Sequence, residues 1–257
     1  MKLFDLSGKT AFVSGGSRGI GKAIALGLAD AGADVAVGAR TASDIDPVVA
    51  QIAEFGVRGL AVPLDVSRID AIPAAVEQVT SGLGPIDILV NVAGTTAREP
   101  IEEVGESTYD LIMNTNSKGP YFLCKAVREA MVGRGGGKII NVASLATGMG
   151  LPKTSAYATS KGALGQMTKA LAVELGPHNI QVNALAPGLI MTDINAHMWE
   201  QAYFRDWCID RTPAHRPGTP EDMVGTAVFL AAPASDFVTG EVIYVDGGIM
   251  AGSVWPL

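Results

Sequence analysis

Tyr157-Ala158-Thr159-Ser160-Lys161 sets a phenol and an amine four residues apart, a spacing that brings both to one face of a helix. Ser144 stands thirteen residues before the tyrosine, just past an apolar run from Lys138 to Ala143. With only 5 tyrosines in the chain, this triple spacing is far from a chance expectation. The chemistry it permits is proton transfer to a reduced carbonyl. A ketone that accepts hydride becomes an alkoxide and needs a proton, so a positioned acid must be ready as negative charge develops. A free phenol, with a pKa near 10, is sluggish at neutral pH, and an adjacent ammonium corrects this by stabilising phenolate. Tyr157 is thus the candidate acid/base, Lys161 its tuner, and Ser144 a hydroxyl able to polarise the carbonyl.

A second constellation lies near the start, in Ser14-Gly15-Gly16-Ser17-Arg18-Gly19-Ile20-Gly21. Glycines placed between a strand and a helix allow a tight turn, let backbone amides approach a pyrophosphate, and aim a helix N-terminus at its charge. With 31 glycines in 257 residues the motif alone carries little, and its context decides. A strand precedes it, a helix follows, and the next strand ends in Ala39-Arg40, where a site for the unphosphorylated dinucleotide would place a carboxylate. Arg40, with Arg18 on the other side, matches a 2′-phosphate, so NADP(H) is expected over NAD(H). The bland alternative is a pair of solvated surface arginines.

The elements that must position these residues follow from an alternation of short apolar runs with amphipathic, helix-length segments, the pattern of a mostly parallel sheet covered by helices. Candidate strands are Thr10–Ser14, Asp34–Ala39, Gly59–Leu64, Ile86–Val92, Lys138–Ala143, Gln181–Ala186 and Glu241–Asp246. Ile20, Ala23, Ile24, Gly27, Leu28 and Ala31 recur at helical steps, with Gly32 as a stop. Ser107 with Asp110 has the form of a capping box, and Thr219-Pro220-Glu221-Asp222 supplies a cap, an N1 proline and first-turn acids. The expected class is α/β, one doubly wound parallel sheet of about seven strands over residues 1–257. The stretch 189–217 breaks the alternation with Met191, Met198, Trp199, Tyr203, Phe204 and Trp207, and is predicted to be a substrate lid rather than a helix docked on the core.

Composition narrows the field. Nineteen Lys and Arg against 26 Asp and Glu leave a net charge of −7, which argues against a phosphate-backbone binder of nucleic acid. At 48% hydrophobic and 18% charged the chain is not disordered. Cys124 and Cys208 form neither a disulfide framework nor a zinc spacing, so no metal is expected and a reducing cytoplasm is the simplest location. Met1 to Gly8 reach a polar turn before any apolar stretch, unlike a signal peptide, and no run spans a bilayer.

In chain order, Gly15 to Gly21, Asp65-Val66, Asn91-Val92-Ala93-Gly94, Asn116, Ser144, Tyr157 with Lys161, and Asn183 through Pro187-Gly188 to Thr192 resemble the short-chain dehydrogenases/reductases, over nearly the whole length. The resemblance implies a Rossmann-type domain and a ketone–alcohol oxidoreductase with Asn116, Ser144, Tyr157 and Lys161 as the catalytic set. In it Lys161 also holds the nicotinamide ribose and Asn116 a proton-relay water. It further implies that Gly15, Ser17, Arg18, Gly19, Ile20, Gly21 and Arg40 bind the cofactor's phosphates, that Asp65 and Val66 meet adenine, and that Asn91, Ala93 and Gly94 line the adenosine ribose. Pro187, Gly188, Ile190 and Thr192 would bracket the carboxamide. Ser14, Val92 and Ala143 depart from the commonest family pattern, and only Val92 removes a polar contact. Arg211-Thr212-Pro213 through Gly218-Thr219-Pro220-Glu221-Asp222 is similar to the gluconate 5-dehydrogenase branch, implying a sugar or sugar-acid substrate. The patterns of 3-oxoacyl-carrier-protein reductases and broad carbonyl reductases are close alternatives, and a nucleotide-binding sensor is the non-enzymatic one. Arg98, Lys153, His197, Arg205 and His215 are further candidates to line the cleft. The resemblance also implies a homotetramer pairing Ser107–Val132 and Ser155–Leu175, with the tail Ile249–Leu257 as another contact.

Overall fold

Seven parallel strands form one sheet, in the order β3-β2-β1-β4-β5-β6-β7, in a computed structural model that describes residues 2–252. They are β1 (Thr10–Ser14), β2 (Asp34–Ala39), β3 (Gly59–Pro63), β4 (Ile88–Asn91), β5 (Gly137–Val142), β6 (Ile180–Pro187) and β7 (Val242–Val245), each within two residues of its predicted run. β1, β4 and β6 are buried along their length because helices cover both faces, whereas the edge strands β3 and β7 stay half open.

The covering helices are α1 (Gly19–Asp30), α2 (Ala42–Ala53), α3 (Ile72–Leu83), α4 (Glu106–Met113), α5 (Gly119–Gly133), α6 (Ser155–Leu175), α7 (Ala196–Trp199), α8 (Ala202–Arg211) and α9 (Val224–Ala231). Alternation along each strand divides the core between them. Ile88 and Val90 of β4 pack with Ile24 and Leu28 of α1 and Leu230 of α9. Leu89, one residue out of phase, packs with Leu123, Val127 and Met131 of α5 on the opposite face. Gly27 occupies the predicted apolar stripe of α1 because a Cβ there would overlap the Val224 side chain of α9.

Two helix starts behave differently. Thr219 does cap the turn Pro220–Met223 that leads into α9, and Asp222 accepts its amide at 2.8 Å. Ser107 is not a cap. The helix begins one residue earlier, at Glu106, with extended Gly105 in the N-cap position, so Ser107 already lies inside the first turn and makes no capping bond.

The stretch predicted as a lid leaves β6 and carries α7 and α8. Its two stems are stitched together, Met191 donating to Gly218 at 2.9 Å and Gly218 to Leu189 at 3.0 Å. Trp199 and Cys208 are buried, while Tyr203 and Trp207 are exposed. Because β1 lies between β2 and β4, the connections leaving β1 and β4 run to opposite faces, which opens a crevice at the carboxyl ends of these two strands.

Candidate active site

The crevice floor is backbone against backbone. Gly15, at φ +81°, would place a Cβ 2.5 Å from the Ala93 amide nitrogen, and a Cβ on Gly21 would run into the Gly15 carbonyl. Gly19, at φ +51°, begins α1, and the Thr192 methyl lies 3.7 Å from where its Cβ would be. Such a cradle admits a pyrophosphate because no side chain fills it, and the α1 N-terminus adds its dipole. Arg18 and Arg40 are exposed at its rim, and neither belongs to an ion pair among the described residues. Ser17 and Ile20 are half-buried in the same turn.

Asp65 accepts the Ser67 amide and hydroxyl at 3.0 and 2.7 Å, and buried Val66 abuts Gly119. Asn91 turns its side chain away from the crevice, donating to Asn141 at 2.9 Å beside Cys124, so its main chain and that of Ala93 and Gly94 form the wall. Pro187 is buried and Gly188 lies so close to Asp246 that a Cβ would come within 2.6 Å of its Cα. Ile190 is buried in the first stem of the 189–217 segment. Thr192 donates both its amide and its hydroxyl to Asn195 Oδ1, at 2.8 and 3.2 Å, and Asn195 also accepts Trp199 Nε1 and donates to the Ile190 carbonyl. These residues fit a phosphorylated dinucleotide: a glycine cradle, a helix N-terminus and two rim guanidiniums.

Beyond the cradle, α6 carries Tyr157 and Lys161, and the end of β5 delivers Ser144. The Ser144 hydroxyl acts on the Tyr157 phenol from the end of β5. Burial raises the pKa of that phenol, while the Ser144 hydroxyl and the Arg98 guanidinium pull it back down. Lys161 is buried and its Nζ donates to the Val142 carbonyl at 2.7 Å, 5.8 Å from the Tyr157 ring centroid. Burial lowers its pKa to about 8. Its ammonium also lies 3.8 Å from the open Cβ direction of Gly94, on the crevice side.

Asn116 sits in a π-helical turn, Asn114–Lys118, between α4 and α5. Such turns interrupt helices at functional sites. Its amide accepts from Thr95 N at 2.8 Å and donates to Thr95 O and Ser160 Oγ, both at 2.9 Å, while Ser160 Oγ donates to the Tyr157 carbonyl at 2.7 Å. Its side chain thus braces the loop after β4 against α6 next to the tyrosine.

Arg98 gains a definite place. Its charge lowers the pKa of the Tyr157 phenol and of the Cys208 thiol of α8, which burial pushes up to about 11. Its position in a loop made it a candidate, and only the fold shows which groups its charge reaches. Lys153, at φ +61°, instead accepts the Glu99 amide through its carbonyl, and Arg205 lies 3.6 Å from its neighbour Asp206. Among the described residues no three His, Cys, Asp or Glu side chains gather as metal ligands, and no helix is long and apolar enough to cross a membrane.

A family model described as enoyl-(acyl carrier protein) reductase matches residues 15–250. The chain is 41% identical over 247 residues to a gluconate 5-dehydrogenase of Gluconobacter oxydans, covering 96% of each. It is 39% identical over 248 residues to a 5-keto-D-gluconate 5-reductase of Escherichia coli, covering 96% of this chain and 98% of the relative. Its fold matches a crystal structure of a gluconate 5-dehydrogenase from Burkholderia cenocepacia in complex with NADP and tartrate, with a TM-score of 0.94, 35% identity and 98% of both chains covered.

Proposed function

The chain belongs to the short-chain dehydrogenase/reductase family, and on that premise we propose that it interconverts a secondary alcohol and a ketone on a sugar acid with NADP(H). The observation that carries this reading is Tyr157 with the buried Lys161 Nζ 5.8 Å from its ring, the Ser144 hydroxyl and the Arg98 charge both acting to lower the phenol's pKa. A hydroxyl pair handles the carbonyl, and a cation whose field reaches that pair suits a substrate whose far end is an anion. The likeness to two sugar-acid enzymes supports the same substrate class.

Bound NADP(H) supplies or accepts the hydride. Gly15, Gly19 and Gly21 hold its pyrophosphate, Arg18 and Arg40 its 2′-phosphate, Ser17 and Ile20 complete the turn, and Asp65 and Val66 face adenine. Asn91, Ala93 and Gly94 form the ribose wall, and Pro187, Gly188, Ile190 and Thr192 the carboxamide end. Ser144 donates to the ketone oxygen, and Tyr157 protonates the alkoxide in reduction or removes the alcohol proton in oxidation. Lys161 supplies positive charge on the crevice side of the tyrosine, and Asn116 keeps that side chain's helix in place.

The segment 189–217 acts as the lid of a single domain, with Tyr203 and Trp207 as its exposed apolar face. Exposed Tyr109, Leu111 and Tyr121 on α4 and α5 and Val173 on α6 support assembly as a homotetramer, and two buried free thiols suit a cytoplasmic location. Of the tail offered as a further contact, residues 253–257 lie outside those described.

Turnover of D-gluconate, 5-keto-D-gluconate, a simple cyclic ketone and a 3-oxoacyl thioester, each with NADP(H) and NAD(H), tests the reading. A kcat/KM at least tenfold higher for the sugar acid with the phosphorylated cofactor is expected. Preference for the thioester would move the chain to acyl reduction, and cofactor binding without turnover of any compound would favour a sensor.

A further inference from the structure

We propose that Thr147 is a positioning residue for the reaction, a bridge that holds Ser144 in register with the α6 turn carrying Tyr157 and Lys161. The inference rests on the catalytic assignment above. Ser144 and α6 come from separate parts of the fold, β5 and the helix that follows, and a hydroxyl that works at 2.7–3.1 Å must be placed to a few tenths of an ångström. β5 is tied to that helix by the Val142 carbonyl on Lys161 Nζ, which leaves the Ser144 backbone, two residues further on, still to be placed.

Thr147 places it with both arms of its side chain. Its Oγ1 accepts the Ser144 amide at 3.3 Å and donates to the Lys161 carbonyl at 3.2 Å, so one hydroxyl joins the backbones of two members of the catalytic set. Its methyl fills the space over Gly165, one turn beyond Lys161, where a Cβ would come within 2.5 Å of Thr147 Cγ2. Ser144 Oγ in turn accepts the Ala146 amide at 3.2 Å, closing a reciprocal cap around the short turn Leu145–Thr147. The hydroxyl fixes the spacing and the methyl fixes the rotamer. Neither valine nor serine reproduces both, valine lacking the bond and serine the contact on Gly165.

Loss of the bridge acts through Ser144. Ser144 favours the Tyr157 phenolate against burial, and the charged groups acting on that phenol are Arg98 from the loop after β4 and Lys161 on its own helix, which Thr147 meets at its carbonyl and not at its ammonium. A displaced Ser144 therefore raises the phenol's pKa, and alcohol oxidation, which needs phenolate, reaches half its maximum at higher pH.

The experiment compares wild type with Thr147→Val, Thr147→Ser and Tyr157→Phe, measuring kcat, KM, cofactor Kd by fluorescence, the pH profile of alcohol oxidation and the Tm. Thr147→Val is expected to lower kcat ten- to hundredfold and shift the profile upward by half a pH unit or more, with cofactor Kd within threefold of wild type. Thr147→Ser, which keeps the bond, recovers most of kcat and the original profile. An inactive Tyr157→Phe with a wild-type kcat and profile in Thr147→Val would overturn the bridge alone, as would equal losses in the valine and serine variants. A fully active Tyr157→Phe would overturn the catalytic assignment and the bridge with it.

Discussion

The Lys161 ammonium points at the Val142 carbonyl, 2.7 Å away, from a site with no other partner among the described side chains. β5 ends at that carbonyl and α6 presents the lysine, so a single bond spans the strand that delivers Ser144 and the helix that delivers Tyr157. A charge in such a place is kept at a cost, since burial alone drives its pKa from 10.5 to about 8.

Removing that charge should therefore separate stability from activity. A shift of this size corresponds to about 3 kcal/mol of penalty on the protonated form at neutral pH, partly offset in Lys161→Met by the orphaned Val142 carbonyl. Lys161→Met is expected to be as stable as wild type or about 1–2 kcal/mol more so at pH 7, with kcat reduced over a hundredfold. The sign with pH follows from linkage. Between about 8 and 10.5 the unfolded lysine holds more proton than the folded one, so wild type gains stability there and its deficit against the variant closes. Urea denaturation at pH 7 and pH 9.5 measures both differences.

Arg98 lowers the pKa of Tyr157 and of Cys208 on α8. Arg98→Met should raise KM for a sugar acid at least tenfold while leaving that for a neutral cyclic alcohol within threefold, and should shift the alcohol-oxidation profile upward in pH. Steady-state kinetics on the two substrates discriminate a substrate contact from a general loss of activity.

Arg40 follows β2 at the rim of the glycine cradle, exposed and without an ion pair among the described residues. Arg40→Asp puts repulsion against a 2′-phosphate and a carboxylate within reach of ribose hydroxyls. NADPH affinity should fall about a hundredfold and NADH affinity should rise, both read by titration of the protein alone.

Asn141 is fully buried on β5 and links Asn91 to Thr168, at 2.9 Å on each side. Asn141→Ala opens a cavity and leaves the Asn91 amide with only the Cys124 sulfur at 3.5 Å. A loss of about 2–4 kcal/mol in urea denaturation is expected, because a buried donor without a partner costs its full desolvation.

Sequence periodicity was enough to locate all seven strands, because a strand buried on both faces must be apolar throughout and its neighbours must be helices. The helix face shared by Tyr157 and Lys161 was equally legible, since a four-residue offset puts two side chains on one side of any helix, and the structure sets both on α6. The helix start at Glu106 was not, because a serine two residues inside a helix and a serine at its cap look alike along the chain. Nor was the effect of the Arg98 charge on Tyr157, the clasp of Thr147 on Lys161, or the turn of Lys161 toward Val142. Each joins residues that the crossover connections bring together from different strands and helices, and the distances and burial that set their charge states exist only after the sheet has closed around them.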